Sequence, residues 1–339
     1  MPADELRVPA PGRILVINVS RIGDTLLVTP AVRALAKAWP QAELIFLGHP
    51  KRIEVIRHLP FVAATGAITK HRARWRGWLR GRRWDLALVY GFDRPLVGYA
   101  LRAAQRVVAF RQGDAQLDAR LFRAVEPPPA MTVHAARSPL LLAQALGVQP
   151  DGLRLAYAVT PAEKSWAREF LAAERPPGER PLVGLQIAGF PATRYRDWPL
   201  ESFAALCERI LGRWPSARLL LFGGAAERGR TSELARRMPE RASDLAGRLT
   251  LRQSAALMDA LDLYVGVDTG PTHIMGALEA PMVALYHCHS PSRLIGPLER
   301  PRCYMVDHPR AAPCGPEVPM AEMPVDAVWS KVLEALSTP

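Results

Sequence analysis

One event recurs along this chain and restricts the folds open to it: an apolar run ends in a short polar turn, and residues with helical spacing follow. The first instance is Arg13–Val19 (RILVINV), then Ser20–Asp24, then Thr25–Trp39 with Val28, Val32, Leu35 and Trp39 on one face and Pro40 at its end. Near-continuous apolar runs read as strands buried on both faces, as in parallel sheets, and the 3.6-residue spacing reads as a helix. With Glu43–Leu47 as the next strand, the opening residues form a β-α-β unit.

The alternation continues. Strands are expected at 86–90 and 106–110 and a helix at 134–146, before the proline-rich break Arg175–Pro181. A second series then begins: strand 182–187, helix 200–211, strand 217–222, helices 227–237 and 251–260, strand 263–267, a short helix 271–278 and strand 282–286. The last segment, 325–336, reads as an amphipathic helix. A length of 339 residues suits two domains of about 150 each. The expectation is an α/β protein of two Rossmann-like lobes with an interdomain cleft: residues 1–174, residues 175–324, and a C-terminal helix, 325–339, packing back on the N-terminal lobe.

Hydrophobic residues make up 49% of the chain, with no apolar run of about 18 or more that could span a bilayer. The N-terminus carries Asp4 and Glu5 where a signal peptide places bases, so a cytoplasmic protein is expected. In that compartment Cys207, Cys288, Cys303 and Cys314, with no CxxC pair among them, are expected as free thiols. Cys288, His289, Cys303 and Cys314 match no zinc spacing.

The net charge of +12 lies entirely in the first half, where residues 1–160 hold 23 Lys and Arg against 11 Asp and Glu. Its densest part is Lys70–Arg83, where basic residues interleave with Trp75 and Trp78. Such a segment suits a polyanionic partner, or is simply a solvated basic face.

Two turns carry the chemistry. Ser20-Arg21-Ile22-Gly23-Asp24 falls at the carboxyl end of the first strand, where open α/β sheets place ligands. It has neither GxGxxG nor GxxxxGK[ST], and a carboxylate repels phosphate, so Asp24 points to proton chemistry. An aspartate here also serves as a helix cap, which would weaken it as a base. The second turn is Gly266–His273 (GVDTGPTH), with Pro271 at a helix start. A helix N-terminus binds a diphosphate through free N–H groups, and Thr269, Thr272 and His273 add donors. An ordinary strand-to-helix turn with a structural Asp268 has the same spacing, so both readings stay open.

RILVINVSRIGDTLLVTPAVRALAKAWPQAELIFLGHP followed downstream by GVDTGPTHIMGALEAPMVALY, with Leu219–Gly224, Glu227 and Gly247–Leu251 (GRLTL) between them, resembles the ADP-heptose:lipopolysaccharide heptosyltransferases, glycosyltransferase family 9. The resemblance covers roughly residues 12–336. It implies a GT-B fold and an inverting, metal-independent transfer of heptose from ADP-heptose to a lipopolysaccharide inner-core acceptor, with no cofactor and no metal site. The chain's lack of a D-x-D pair agrees with that. Asp24 aligns with the family's base; Asp268, Thr269, Gly270, Pro271, Thr272 and His273 align with its donor loop. Glu227 falls where a glutamate holds the ribose, and Arg196 where a lysine usually meets the diphosphate. Lys51, Arg52, Arg94, Arg120 and His134 are candidates for the acceptor, an anionic glycolipid, with peripheral contact at the cytoplasmic face of the inner membrane.

A second enzyme reading keeps the fold and changes the substrate, to another nucleotide sugar or to an O-antigen, capsule or protein acceptor. A nucleic-acid-binding reading lacks any helix-turn-helix, RRM or zinc pattern, and a dehydrogenase lacks the glycine fingerprint.

Overall fold

A computed structural model describes residues 9–75, 81–174, 178 and 180–337. The chain divides into two compact units, 1–158 and 159–339. Each is built on a six-stranded, wholly parallel sheet.

In the first unit the strands are β1 (Arg13–Asn18), β2 (Glu43–Gly48), β3 (Ala64–Ala67), β4 (Trp84–Tyr90), β5 (Ala104–Phe110) and β6 (Arg123–Val125), in the order β3-β2-β1-β4-β5-β6. In the second they are β7 (Leu182–Gln186), β8 (Arg218–Phe222), β9 (Ala242–Asp244), β10 (Leu263–Val267), β11 (Met282–Tyr286) and β12 (Cys303–Asp307), in the order β12-β11-β10-β7-β8-β9. Both orders are 3-2-1-4-5-6, the doubly wound Rossmann arrangement. Ile14–Ile17 and Leu263–Val265 are fully buried, as strands covered by helices on both faces must be.

Chain order reverses between β1 and β4 in one sheet and between β7 and β10 in the other. The crevice beyond the carboxyl ends at such a point is where doubly wound folds bind ligands. β1 runs directly into Ser20–Asp24 and β10 directly into Asp268–His273. Both motifs therefore stand at switch points.

Two expectations about the domains change. The boundary falls at Ala158–Val159, not at 174–175. Helix Pro161–Glu174 joins the second unit because Glu163 takes two hydrogen bonds from Arg252 (2.7 and 2.5 Å) and Lys164 pairs with Asp259 (2.8 Å). The C-terminal helix Val325–Ser337 belongs to the second unit too, rather than forming a segment of its own as expected. Val328, Val332 and Ala335 sit in one core with Leu263, Val265, Val283 and Leu285, and the Trp198 indole N–H donates to the Met323 carbonyl (3.0 Å).

Candidate active site

In the first unit, helix Ile22–Leu26 begins three residues earlier than its spacing suggested. Its N-cap is Arg21, whose side chain makes no capping bond. Asp24 therefore lies inside the first turn, and the capping role left open by its sequence position is not realised. Its side chain is exposed, and among the described residues nothing donates to its carboxylate; only its carbonyl is engaged, by Asn18 Nδ2 at 3.3 Å. An exposed, unpaired carboxylate at a switch point is free to take a proton.

The loop before it is held from beneath. Arg52 Nη1 donates to the Ser20 carbonyl (3.0 Å), and Thr25 Oγ1 to the Arg21 carbonyl (2.7 Å). Arg52 thus stands beside the Asp24 turn, with Lys51 exposed next to it. Arg94 follows β4 and pairs with Asp114 (3.5 Å), while Arg120 is exposed after the short helix Ala115–Asp118. His134 is 6% exposed, and its Nδ1 accepts the Ala136 amide (3.0 Å), so that nitrogen is used in a turn. Of the basic segment Lys70–Arg83, residues 76–80, with Trp78, lie outside the described residues. Helix Lys70–Trp75 leaves Trp75 83% exposed.

In the second unit Asp268 is 2% exposed at the end of β10, and an arginine and a histidine face it. Arg196 Nη1 meets Oδ2 at 2.5 Å, and His273 Nε2 lies 3.4 Å from Oδ1. A carboxylate this deep needs such a partner. Arg196 Nε also donates to the Tyr195 hydroxyl (3.0 Å), which leaves Nη2 without a protein acceptor among the described residues. His273 Nδ1 is buried with no partner. A guanidinium edge and a ring nitrogen thus remain for a ligand.

The helix over this loop runs Gly270–Ala277, with Thr269 as N-cap. Pro271 has no N–H and the His273 amide bonds the Thr269 carbonyl (3.2 Å), so Gly270 and Thr272 supply the free amides of this helix start. Thr272 is not a hydroxyl donor for the ligand, contrary to its sequence assignment. It is 2% exposed, and its Oγ1 donates to the Val267 carbonyl (2.5 Å) while meeting the hydroxyls of Tyr264 (2.9 Å) and Thr269 (3.2 Å). Thr269 remains half-buried on the rim.

The β7 loop closes against this one. A Cβ on Gly189 would lie 2.8 Å from Thr269 Cγ2, so only glycine lets the loops approach this closely. Beyond β8, Glu227 Oε2 accepts the Gly224 amide (2.7 Å). Gly247, at φ +70°, closes beside Ala225, with its amide on the Gly223 carbonyl (2.9 Å). Glu227, the Gly189 loop and the Asp268 loop thus line the carboxyl edge of three adjacent strands.

Asp197, not singled out from the sequence, shapes this wall. Its Oδ1 accepts the Gly189 amide (3.0 Å). Burial pushes its carboxyl up to about 6, against the lowering effects of that amide and of Arg230 and Arg194. The only signal in the sequence was the charged run Arg194–Asp197 before Trp198-Pro199.

Four cysteines were expected as free thiols; Cys207 and Cys303 are, but Cys288 and Cys314 are bonded to each other. The loops after β11 and β12 bring them together across 26 residues.

Two Rossmann-like domains, each with its distinctive motif at a switch point, are the architecture of the GT-B glycosyltransferases. The chain belongs to glycosyltransferase family 9 (heptosyltransferase), whose family model matches residues 97–318. It is 28% identical over 330 residues to lipopolysaccharide heptosyltransferase 1 of Pseudomonas aeruginosa, covering 89% of this chain and 86% of that one. Its fold is similar to a family 9 glycosyltransferase from Veillonella parvula (TM-score 0.83, 18% identity, 98% of this chain and 100% of that one). It is also similar to the E. coli ADP-heptose lipopolysaccharide heptosyltransferase II (TM-score 0.79, 21% identity, 96% and 98%). No helix among the described residues is long and apolar enough to cross a membrane.

Proposed function

We propose that this chain transfers heptose from ADP-heptose to a lipopolysaccharide inner-core acceptor, in one inverting displacement that uses no metal ion and no cofactor. The observation that carries the reading is the exposed, unpartnered carboxylate of Asp24 at the first switch point. As an acceptor hydroxyl attacks the anomeric carbon, its proton passes to Asp24. The nucleoside diphosphate leaves from the opposite face. It leaves as an anion, so it needs positive charge more than a proton. Arg196 Nη2 would supply that charge, with the Gly270 and Thr272 amides donating hydrogen bonds and the His273 ring beside them. Glu227 Oε1 would hold the ribose.

The names of the relatives support heptose and lipopolysaccharide as substrates. The basic first half suits an anionic glycolipid at the cytoplasmic face of the inner membrane, with Lys51, Arg52, Arg94 and Arg120 as contacts. Exposed Trp75 beside Arg72 adds a peripheral membrane contact; equal binding to neutral and anionic vesicles would remove that contact from the account.

The test is a thermal-shift panel of ADP-heptose against UDP- and GDP-sugars, followed by mass analysis of truncated lipopolysaccharide incubated with the donor. The reading predicts stabilisation by ADP-heptose and a gain of one heptose. Stabilisation by a UDP- or GDP-sugar alone would assign another donor, and a heptose gained only by a capsule, O-antigen or protein acceptor would move the substrate.

A further inference from the structure

Behind the donor loops lies a side-chain cluster that the transfer reaction does not use. After β11 the chain passes through His287, Cys288 and His289, and the segment 314–319 folds back over them. Four contacts hold it there: the Cys314 amide on the Cys288 carbonyl (3.3 Å), His289 Nδ1 with the Cys314 carbonyl (2.9 Å), His287 Nε2 with the Val318 carbonyl (2.7 Å), and His308 Nε2 with the Pro319 carbonyl (3.2 Å). His287 is 0% and Cys288 1% exposed. The ligand atoms of His287, Cys288 and Cys314 all lie within 4.8 Å of one another, with Cys314 Sγ 3.9 Å from His287 Nδ1.

The histidine tautomer follows from its partners. A carbonyl cannot donate, so His287 Nε2 carries the proton and Nδ1 carries the lone pair. Nδ1 faces the sulfurs and accepts the His289 amide (2.9 Å). A ring fixed by an N–H···O=C bond, with its other nitrogen turned to two sulfurs, is the outer-shell arrangement of a metal-bound histidine. Two sulfurs and an imidazole nitrogen suit zinc, and leave a fourth position for water.

We propose that the reduced chain holds a zinc ion on Cys288 Sγ, Cys314 Sγ and His287 Nδ1, and that the disulfide is the oxidised, metal-free form of the same site. A dithiol reductant breaks the S–S bond. Two electrons and two protons pass to the sulfurs, and the reductant leaves as its own disulfide. Zinc then displaces both thiol protons, and the His289 amide gives up Nδ1 to the metal. The site's reach toward the donor loop is short. The Tyr195 ring stands edge-on to His287 (5.2 Å) and His289 (5.6 Å), and its hydroxyl accepts Arg196 Nε (3.0 Å). Zinc would thus brace the wall on which Arg196 rests.

The test uses the full chain, reduced without oxygen, desalted, and titrated with zinc against a chromophoric chelator, with bound metal counted by mass spectrometry. Cobalt(II) added in place of zinc reports thiolate ligation by its charge-transfer band. We expect one zinc per reduced chain and none while the disulfide is intact. Cys314→Ser and His287→Gln should each lower affinity about a hundredfold or more, since losing even an outer-shell partner costs about ten- to a hundredfold. Cys303→Ser should bind as the parent does. Cys314 is only part-buried, and circular dichroism of its variant shows whether the fold survives. No zinc uptake by the reduced parent chain, or full uptake by a folded Cys314→Ser chain, overturns the proposal.

Discussion

Arg196 is held by three contacts from two neighbours: the Asp268 carboxylate, the Tyr195 hydroxyl, and the Tyr195 ring 5.3 Å from its guanidinium carbon. The planar fork lets one edge neutralise a buried aspartate while another stays open among the described residues. Asp197 does comparable work nearby through a carboxyl pushed up to about 6 by burial. A raised carboxyl pKa means that the folded chain binds the proton more tightly than the unfolded chain. Its contribution is fully present below the unfolded pKa of about 4 and is lost as pH rises through about 6. Melting temperature should therefore carry a downward component between about pH 4 and 6 that Asp197→Asn removes; identical melting profiles for the two proteins would show that this carboxyl does not titrate there. The sequence named Arg196 through its place before Trp198-Pro199 but not Asp197, whose role depends on a loop contact that spacing alone does not encode.

The elements that sequence reading found and those it missed divide by burial. All eight expected strands exist, and they are the four inner strands of each sheet. The four missed, β3, β6, β9 and β12, are the edges. An edge strand needs no continuous apolar run: Ala64–Ala67 reads ATGA and Ala242–Asp244 reads ASD. Helix boundaries erred at prolines. The expected helix 25–39 restarts at Thr29-Pro30, and that at 134–146 shrinks to Leu140–Gln144 after Pro139, since proline fits a first turn but breaks an interior. The helix over the donor turn was placed to within one residue of its start. The direction in which Thr272 points was not legible, because it is set by Tyr264 beneath it. Thr272→Val should therefore destabilise the chain by about 1 kcal/mol in chemical denaturation, with donor affinity unchanged. A selective loss of donor affinity at parental stability would return the hydroxyl to the ligand.

At the scale of the molecule, one topology occurs twice, and each copy places its distinctive motif at its switch point. The duplication was legible in the alternation of apolar runs and helical spacing. The division between the copies was not, because the proline-rich stretch near residue 175 looks like a linker while ion pairs from Glu163 and Lys164 tie the preceding helix to the second unit. The same holds for the C-terminal helix, whose apolar face fits its own sheet. The account rests on a division of labour in which the first unit supplies the base and the second holds the nucleotide. Asp24→Asn separates the two functions, because asparagine keeps the shape of the side chain and removes its capacity to take a proton. Paired assays on that variant, heptose transfer by mass analysis and ADP-heptose affinity by calorimetry, should show turnover reduced by at least about a hundredfold with affinity unchanged. Parental turnover by Asp24→Asn would contradict the account.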